Sequence, residues 1–343
     1  MRFCLIIVVL LSISAAARAA PDYREINRAL AEEVIIPAYN QLESATSRQK
    51  NHWISACEEP AADALDHLQA AYQTTADAWA AVFHWTAGPI TRELRRERFY
   101  HWPERGNAID RALAALRAAA NPDRLLPPLF AQASVAVQGL PALERLLYGD
   151  SDVTQDPGAC EIGRTIAINL ASIAAEVSGE WRGAVVDNLR RGTALLPYFG
   201  PPLAALNRLF TSILTGFIIL KDQKLMPGLR FKIDNANPKM LEGWRSQRPL
   251  RNLKINIDTL AESLAVLSRH LGADHRERIR HGMARSQQLA AQLAPLISGV
   301  TDPAERRKIF QLIDSLTSNQ NEIANIFNQR LGLTIGFNSL DGD

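Results

Sequence analysis

Apolar positions recur every three, four or seven residues along nearly all of this 343-residue chain. Val, Ile and Thr never alternate at period two for long enough to build a sheet. The first amphipathic stretch covers residues 22–48, where Pro37 lacks an amide donor and predicts a bend or a split. From Glu59-Pro60 onward, Leu65, Leu68, Tyr72, Trp79 and Phe83 mark one buried stripe, and Gly88-Pro89 ends it. An Arg-rich helical segment, a turn at Trp102-Pro103 and a helix over residues 108–119 follow, the last stopped by Asn121-Pro122. Residues 125–137 lead into a break at Gly139 and Pro141, and after an acidic loop a helix spans residues 159–186. The second half has stripes at Leu206, Phe210, Ile213, Phe217 and Leu220, then at Leu253, Ile257, Leu260, Leu264 and Leu267, with Gly272 as a cap. A helix over residues 274–297 and a last one opening at Asp302-Pro303-Ala304-Glu305 complete the set: an Asx N-cap, Pro at the first position and Glu at the third. Gly332 ends it. The fold class is all-α, and two successive groups of long antiparallel helices pack best as two up-and-down helical-bundle domains. The Pro/Gly-dense residues 195–202 place the boundary, giving units of 21–195 and 196–343.

The break in residues 138–148 organises the candidate site. Gly139 weakens a helix and Pro141 suits the first turn of a new one. Glu144 is then expected in that first turn, near the positive end of the helix dipole. A break of this kind presents backbone groups and a carboxylate to a crevice.

Composition adds an address. Arg2, the apolar residues 3–13 and Ala17-Arg18-Ala19 read as an export signal covering residues 1–20, cut after Ala19 or Ala20. Without Arg2 and Arg18 the acidic and basic residues balance at 36 each, which argues against a nucleic-acid partner. Later apolar runs such as residues 214–220 are too short to cross a bilayer, so no membrane span is expected in the mature chain. Cys4 leaves with the signal, and the remaining pair, Cys57 and Cys160, is expected to form a disulfide in an exported protein.

Four segments in order resemble one family. Gly139-Leu-Pro-Ala-Leu-Glu144 is similar to the Gly-x-His-x-x-Glu signature of the imelysin family of bacterial envelope proteins, in the variant where His is absent. Trp102-Pro-Glu-Arg-Gly-Asn107 resembles its Trp-Pro segment. Trp244-Arg-Ser246 with Leu250-Arg-Asn252 resembles its Trp-Arg-Ser stretch, and residues 336–343 its C-terminal ending. The resemblance implies two helical bundles around a crevice, periplasmic location, and a link to iron or other metal acquisition.

Pro141 stands where the family carries His, and proline has no side-chain lone pair for a metal or a proton. Glu144 alone does not make a three-ligand site, so no catalytic zinc is expected; a carboxylate paired with an arginine is the plainer reading. In His101-Trp-Pro-Glu104, Pro103 interrupts the helix that would align the two ligands. Asp63 and His67, four apart, read as a surface pair, and His270, His275 and His281 as a solvated cluster. The expected crevice residues are Gly139, Glu144, Trp102, Arg105, Arg245, Ser246, Asn338 and Asp341. Among them, Arg245 supplies a rigid fork for carboxylate or phosphate. Binding rather than catalysis is therefore expected, with a metal complex, a peptide or an envelope protein as partner. A metallopeptidase-like hydrolase and a structural scaffold are the alternatives.

Overall fold

The computed structural model describes residues 21–119, 121–186 and 199–334, with backbone only at residue 184. The export signal, Asn338, Asp341 and the domain boundary expected at residues 195–196 lie outside these. Among the described residues the regular elements are all helices. Helix α1 (Tyr23–Leu30) starts at Asp22, whose carboxylate accepts from the Arg24 and Glu25 amides. It does not split at Pro37. The chain widens into a π segment over Ala31–Ile35, where the Ile36 amide bonds Ala31 O, and runs on as α2 (Ile36–Glu58). One wide turn before the proline absorbs the donor it lacks, so the element extends ten residues beyond the expected end.

Next come α3 (Ala64–Val82), α4 (Arg95–Phe99), the cis Trp102–Pro103 turn and α5 (Ala108–Ala118). The expected approach over residues 125–137 is two short helices, α6 (Pro127–Phe130) and α7 (Val135–Gln138), because Ser134 opens a fresh N-cap. Then follow α8 (Leu140–Leu147) and α9 (Pro157–Glu180). The second half holds α10 (Pro202–Ile218), α11 (Met226–Leu229), α12 (Pro249–Ser268), α13 (Ala273–Ala291), α14 (Leu296–Gly299) and α15 (Pro303–Leu331). Gly272 is the N-cap of α13 rather than the end of α12. The Asp302 cap forms as expected, accepting from the Ala304 and Glu305 amides, and α15 stops at Gly332 in the left-handed conformation.

Helices α2, α3 and α9 pack together, as do α10, α12, α13 and α15. Helix α3 lies against α12, and α1 reaches across to α10 and α12. One contiguous hydrophobic core therefore runs through both groups, from Ile26 to Leu333. Through its own π segment (Ile219–Leu225), α10 continues into α11, giving a 28-residue helical run over Pro202–Leu229 that contains an apolar window. By length and composition this run could cross a membrane, unlike the seven-residue piece singled out above. Within the fold, 72% of its apolar window is buried against other helices, the position of a core element.

Cys57 and Cys160 are bonded, with Cα atoms 5.7 Å apart, and fasten the end of α2 to the start of α9 across a separation of 103 residues. In the chain-entropy model a loop of that size contributes about 4–5 kcal/mol. Reduction, or the pair Cys57→Ala and Cys160→Ala, is expected to lower the urea-unfolding free energy by that order while far-ultraviolet circular dichroism stays helical.

Candidate functional site

The site starts from a steric fact at Gly139. This residue ends α7 and serves as the N-cap of α8, with extended backbone. A Cβ placed there would sit 2.4 Å from Phe99 O, and a backbone oxygen cannot move aside. The glycine lets α8 approach the end of α4. Pro141 falls in the first turn, as expected, but α8 begins at Leu140, so Glu144 lies in the second turn and not the first. Its stabilisation comes from another source.

Glu144 is buried, and Ser246 of the opposite helix group supplies the partners. The Ser246 amide donates to Glu144 Oε1 at 2.9 Å and the Ser246 hydroxyl to the same oxygen at 2.6 Å. The other carboxylate oxygen lies 3.6 Å from Arg145 Nη1. Arg145 in turn donates to Glu104 at 2.5 Å and Asp110 at 3.0 Å, and the second Asp110 oxygen stands 3.8 Å from Arg245 Nη2. Arg245 is half-buried with its guanidinium 4.4 Å above the Trp244 ring. Burial, with Arg145 nearby, holds its pKa below the ordinary arginine value.

A second network continues inward from the same turn. Gln73 donates to Tyr148 Oη at 2.9 Å and to Ser246 O at 3.1 Å. Fully buried Arg248 donates to Gln73 O, to Asp77 Oδ1 and, through Nε, to Asn252 Oδ1. Asn252 donates to Glu242, which is 2.8 Å from Lys224 Nζ. Lys224 donates to Asn256, and Asn256 to Ala80 O. Burial lowers the Lys224 pKa, against the pull of Glu242. Burial also pushes the Tyr72 and Tyr100 hydroxyls well above their usual value, Tyr72 with help from Glu144 and Tyr100 from Glu242. Both stay protonated at neutral pH. At the end of α3, His84 is fully buried, with Nε2 3.4 Å from Ser263 Oγ, and burial followed by the charge of Arg96 lowers its pKa to about 3.

Of the residues expected in the crevice, Glu144 and Ser246 touch, and Arg245 joins them through Asp110 and Arg145. Gly139 faces the backbone of α4. Trp102 is half-buried with an unpartnered Nε1, and Arg105 is exposed. His101 and Glu104 do not act together: Glu104 bonds Arg145 and the Ile109 amide. The family motifs pointed at Glu144 and Ser246 separately, whereas Gln73, Asp77, Glu242 and Arg248 carried no signal, since each acquires its partners only when separate elements pack together. Among the described residues, no three His, Cys, Asp or Glu side chains are placed to hold a metal ion.

The imelysin model (peptidase M75) matches residues 35–323. No curated protein matches the chain in sequence. Among solved structures, an imelysin-like protein from Psychrobacter arcticum 273-4 aligns with TM-score 0.77 at 20% identity, covering 93% of this chain and 100% of its own. A putative iron-regulated protein A precursor from Parabacteroides distasonis ATCC 8503 aligns with TM-score 0.73 at 13% identity, covering 91% and 97%. At these identities the likeness speaks for the fold.

Two outcomes follow from the geometry. Ser246→Ala is expected to cost about 1.5–3 kcal/mol and Glu144→Ala about 3 kcal/mol in urea unfolding. A double-mutant cycle between them should give a coupling of about 1–2 kcal/mol. His84 should make stability fall with acid: its folded pKa lies below the ordinary 6.5, so between the two values the unfolded chain binds the extra proton. The contribution is complete above pH 6.5 and declines as pH drops toward 3, by about 2 kcal/mol between pH 7 and 5. His84→Gln should remove that part of the slope when unfolding is compared at the two pH values.

Proposed function

The chain belongs to the imelysin family, and from that premise we propose that it is an exported envelope protein that binds a metal complex, most naturally an iron complex, without hydrolysing anything. The observation that carries this reading is the state of Glu144. Both its oxygens are engaged, one by the Ser246 amide and hydroxyl and the other by Arg145, while Pro141 takes the place of the motif histidine. A carboxylate so engaged is neither a free base nor an open metal ligand. What the junction leaves for a ligand is Arg245, held by one loose 3.8 Å pairing and spread over Trp244. A guanidinium there suits the carboxylate oxygens of a chelated metal better than a bare cation. The name of the Parabacteroides relative supports the iron connection, and the apolar N-terminal run supports export. The same internal bonding of Glu144 favours a scaffold as the second reading.

Ferric citrate is the probe that separates these. Calorimetry on the purified protein is expected to give saturable binding that Arg245→Ala weakens by about tenfold or more, as loss of a charged contact does, with the helical spectrum unchanged. A broad peptide pool should remain uncut with or without chelator. Chelator-sensitive cleavage would install the hydrolase, and absence of binding together with absence of cleavage would leave the scaffold.

A further inference from the structure

The Asp63/His67 pair has a third member that no spacing along the chain reveals. Helix α2 presents His52 opposite His67 of α3, with ring centres 6.0 Å apart and planes at 55°. Both rings line a cavity of about 170 Å³ whose wall also includes Ala45, Arg48, Ala70 and Thr74. Asp63 holds the N-cap position of α3, where an Asp ordinarily accepts from the helix amides, yet its side chain makes no capping bond. Its carboxylate lies 3.6 Å from His67 Nε2 instead.

We propose that His52 and His67 are the two protein ligands of a surface site for a borderline divalent transition cation, with Asp63 positioning His67 and water completing the coordination. Imidazole nitrogens favour copper, nickel and zinc, and the Irving–Williams order places Cu(II) first among them. Two imidazoles that share an ion at the usual metal–nitrogen distance of about 2.0–2.1 Å hold their ring centres roughly 4.5–6.5 Å apart as the angle at the ion opens from about 90° to about 180°, a span that includes this pair. A carboxylate beside one ligating histidine fixes its tautomer and raises its basicity. Arg48, the cation in the cavity wall, donates to Ser44 Oγ at 2.6 Å, one turn back along α2 from His52. Helices α2 and α3 are fixed by their packing, so only two exposed side chains need ordering. The site involves neither Glu144 nor Arg245, and its fate is independent of the reading above.

Copper chloride titrated into the untagged protein tests it. Calorimetry is expected to give one Cu(II) per chain, and electron paramagnetic resonance two coupled imidazole nitrogens. His52→Ala and His67→Ala should each weaken binding by at least about tenfold, and Asp63→Asn by about tenfold, the effect of losing an outer-shell partner. His281→Ala, an exposed histidine elsewhere, should change nothing. Cu(II) should raise the melting temperature of the parent protein but not of either His variant. All three site residues are exposed, and the metal-free melting temperature checks that each variant is folded. No saturable binding, binding that survives both single variants, or binding lost in His281→Ala would overturn the proposal.

Discussion

A buried charge costs several kcal/mol unless it is paired or hydrogen-bonded, and this structure meets that requirement largely by pairing across its two helix groups. Glu144 belongs to the first half and Ser246 to the second; Arg248 reaches back to Gln73 and Asp77. Lys224 and Glu242 are buried within a few ångströms of the same seam. Removing ions from water costs several kcal/mol each unless hydrogen bonds satisfy the remaining atoms. In this seam nearly every such atom has a partner from another element. The result fixes register: a helix that slipped by one position would leave a charge without its counterpart. Apolar packing of α3 against α12 supplies attraction, while the polar network determines which arrangement of the two surfaces is allowed.

This ordering explains why the motif reads as functional while its glutamate is internally engaged. Gly139 is needed because Phe99 O stands where a Cβ would be. Pro141 is tolerated in the first turn of α8, where its missing amide costs nothing. Glu144 then projects toward the turn that carries Ser246. The three positions form one mechanical unit, with Arg245 and Trp244 at its half-buried outer edge.

The helices were largely legible because their signals are local. Asp302-Pro303 states its own cap, and the apolar stripe of α3 states its own face. Where two local signals compete, the sequence alone cannot decide. Pro37 could break a helix or be carried by a wide turn, and only packing of the flanking segments onto one core selects the second. Gly272 could close α12 or open α13, and its extended backbone does the latter. Glu144 was legible as a residue, but its environment was not, because Ser246 is 102 positions away. Arg248 is harder still: it occurs among several surface arginines, and nothing in its neighbourhood marks it as fully buried.

The same limit applies to the histidines. Asp63 and His67 announce themselves by a four-residue interval, which on its own describes a common surface pair. His52 is fifteen positions earlier on another helix, and its approach depends on how α2 and α3 cross, which their packing on the shared core determines. Polar clusters in an all-helical protein therefore arise in two ways. Some are written along one helix face, where periodicity exposes them. The rest are made by packing, from residues unremarkable singly, and here both the buried seam and the exposed histidine pair are of that second kind.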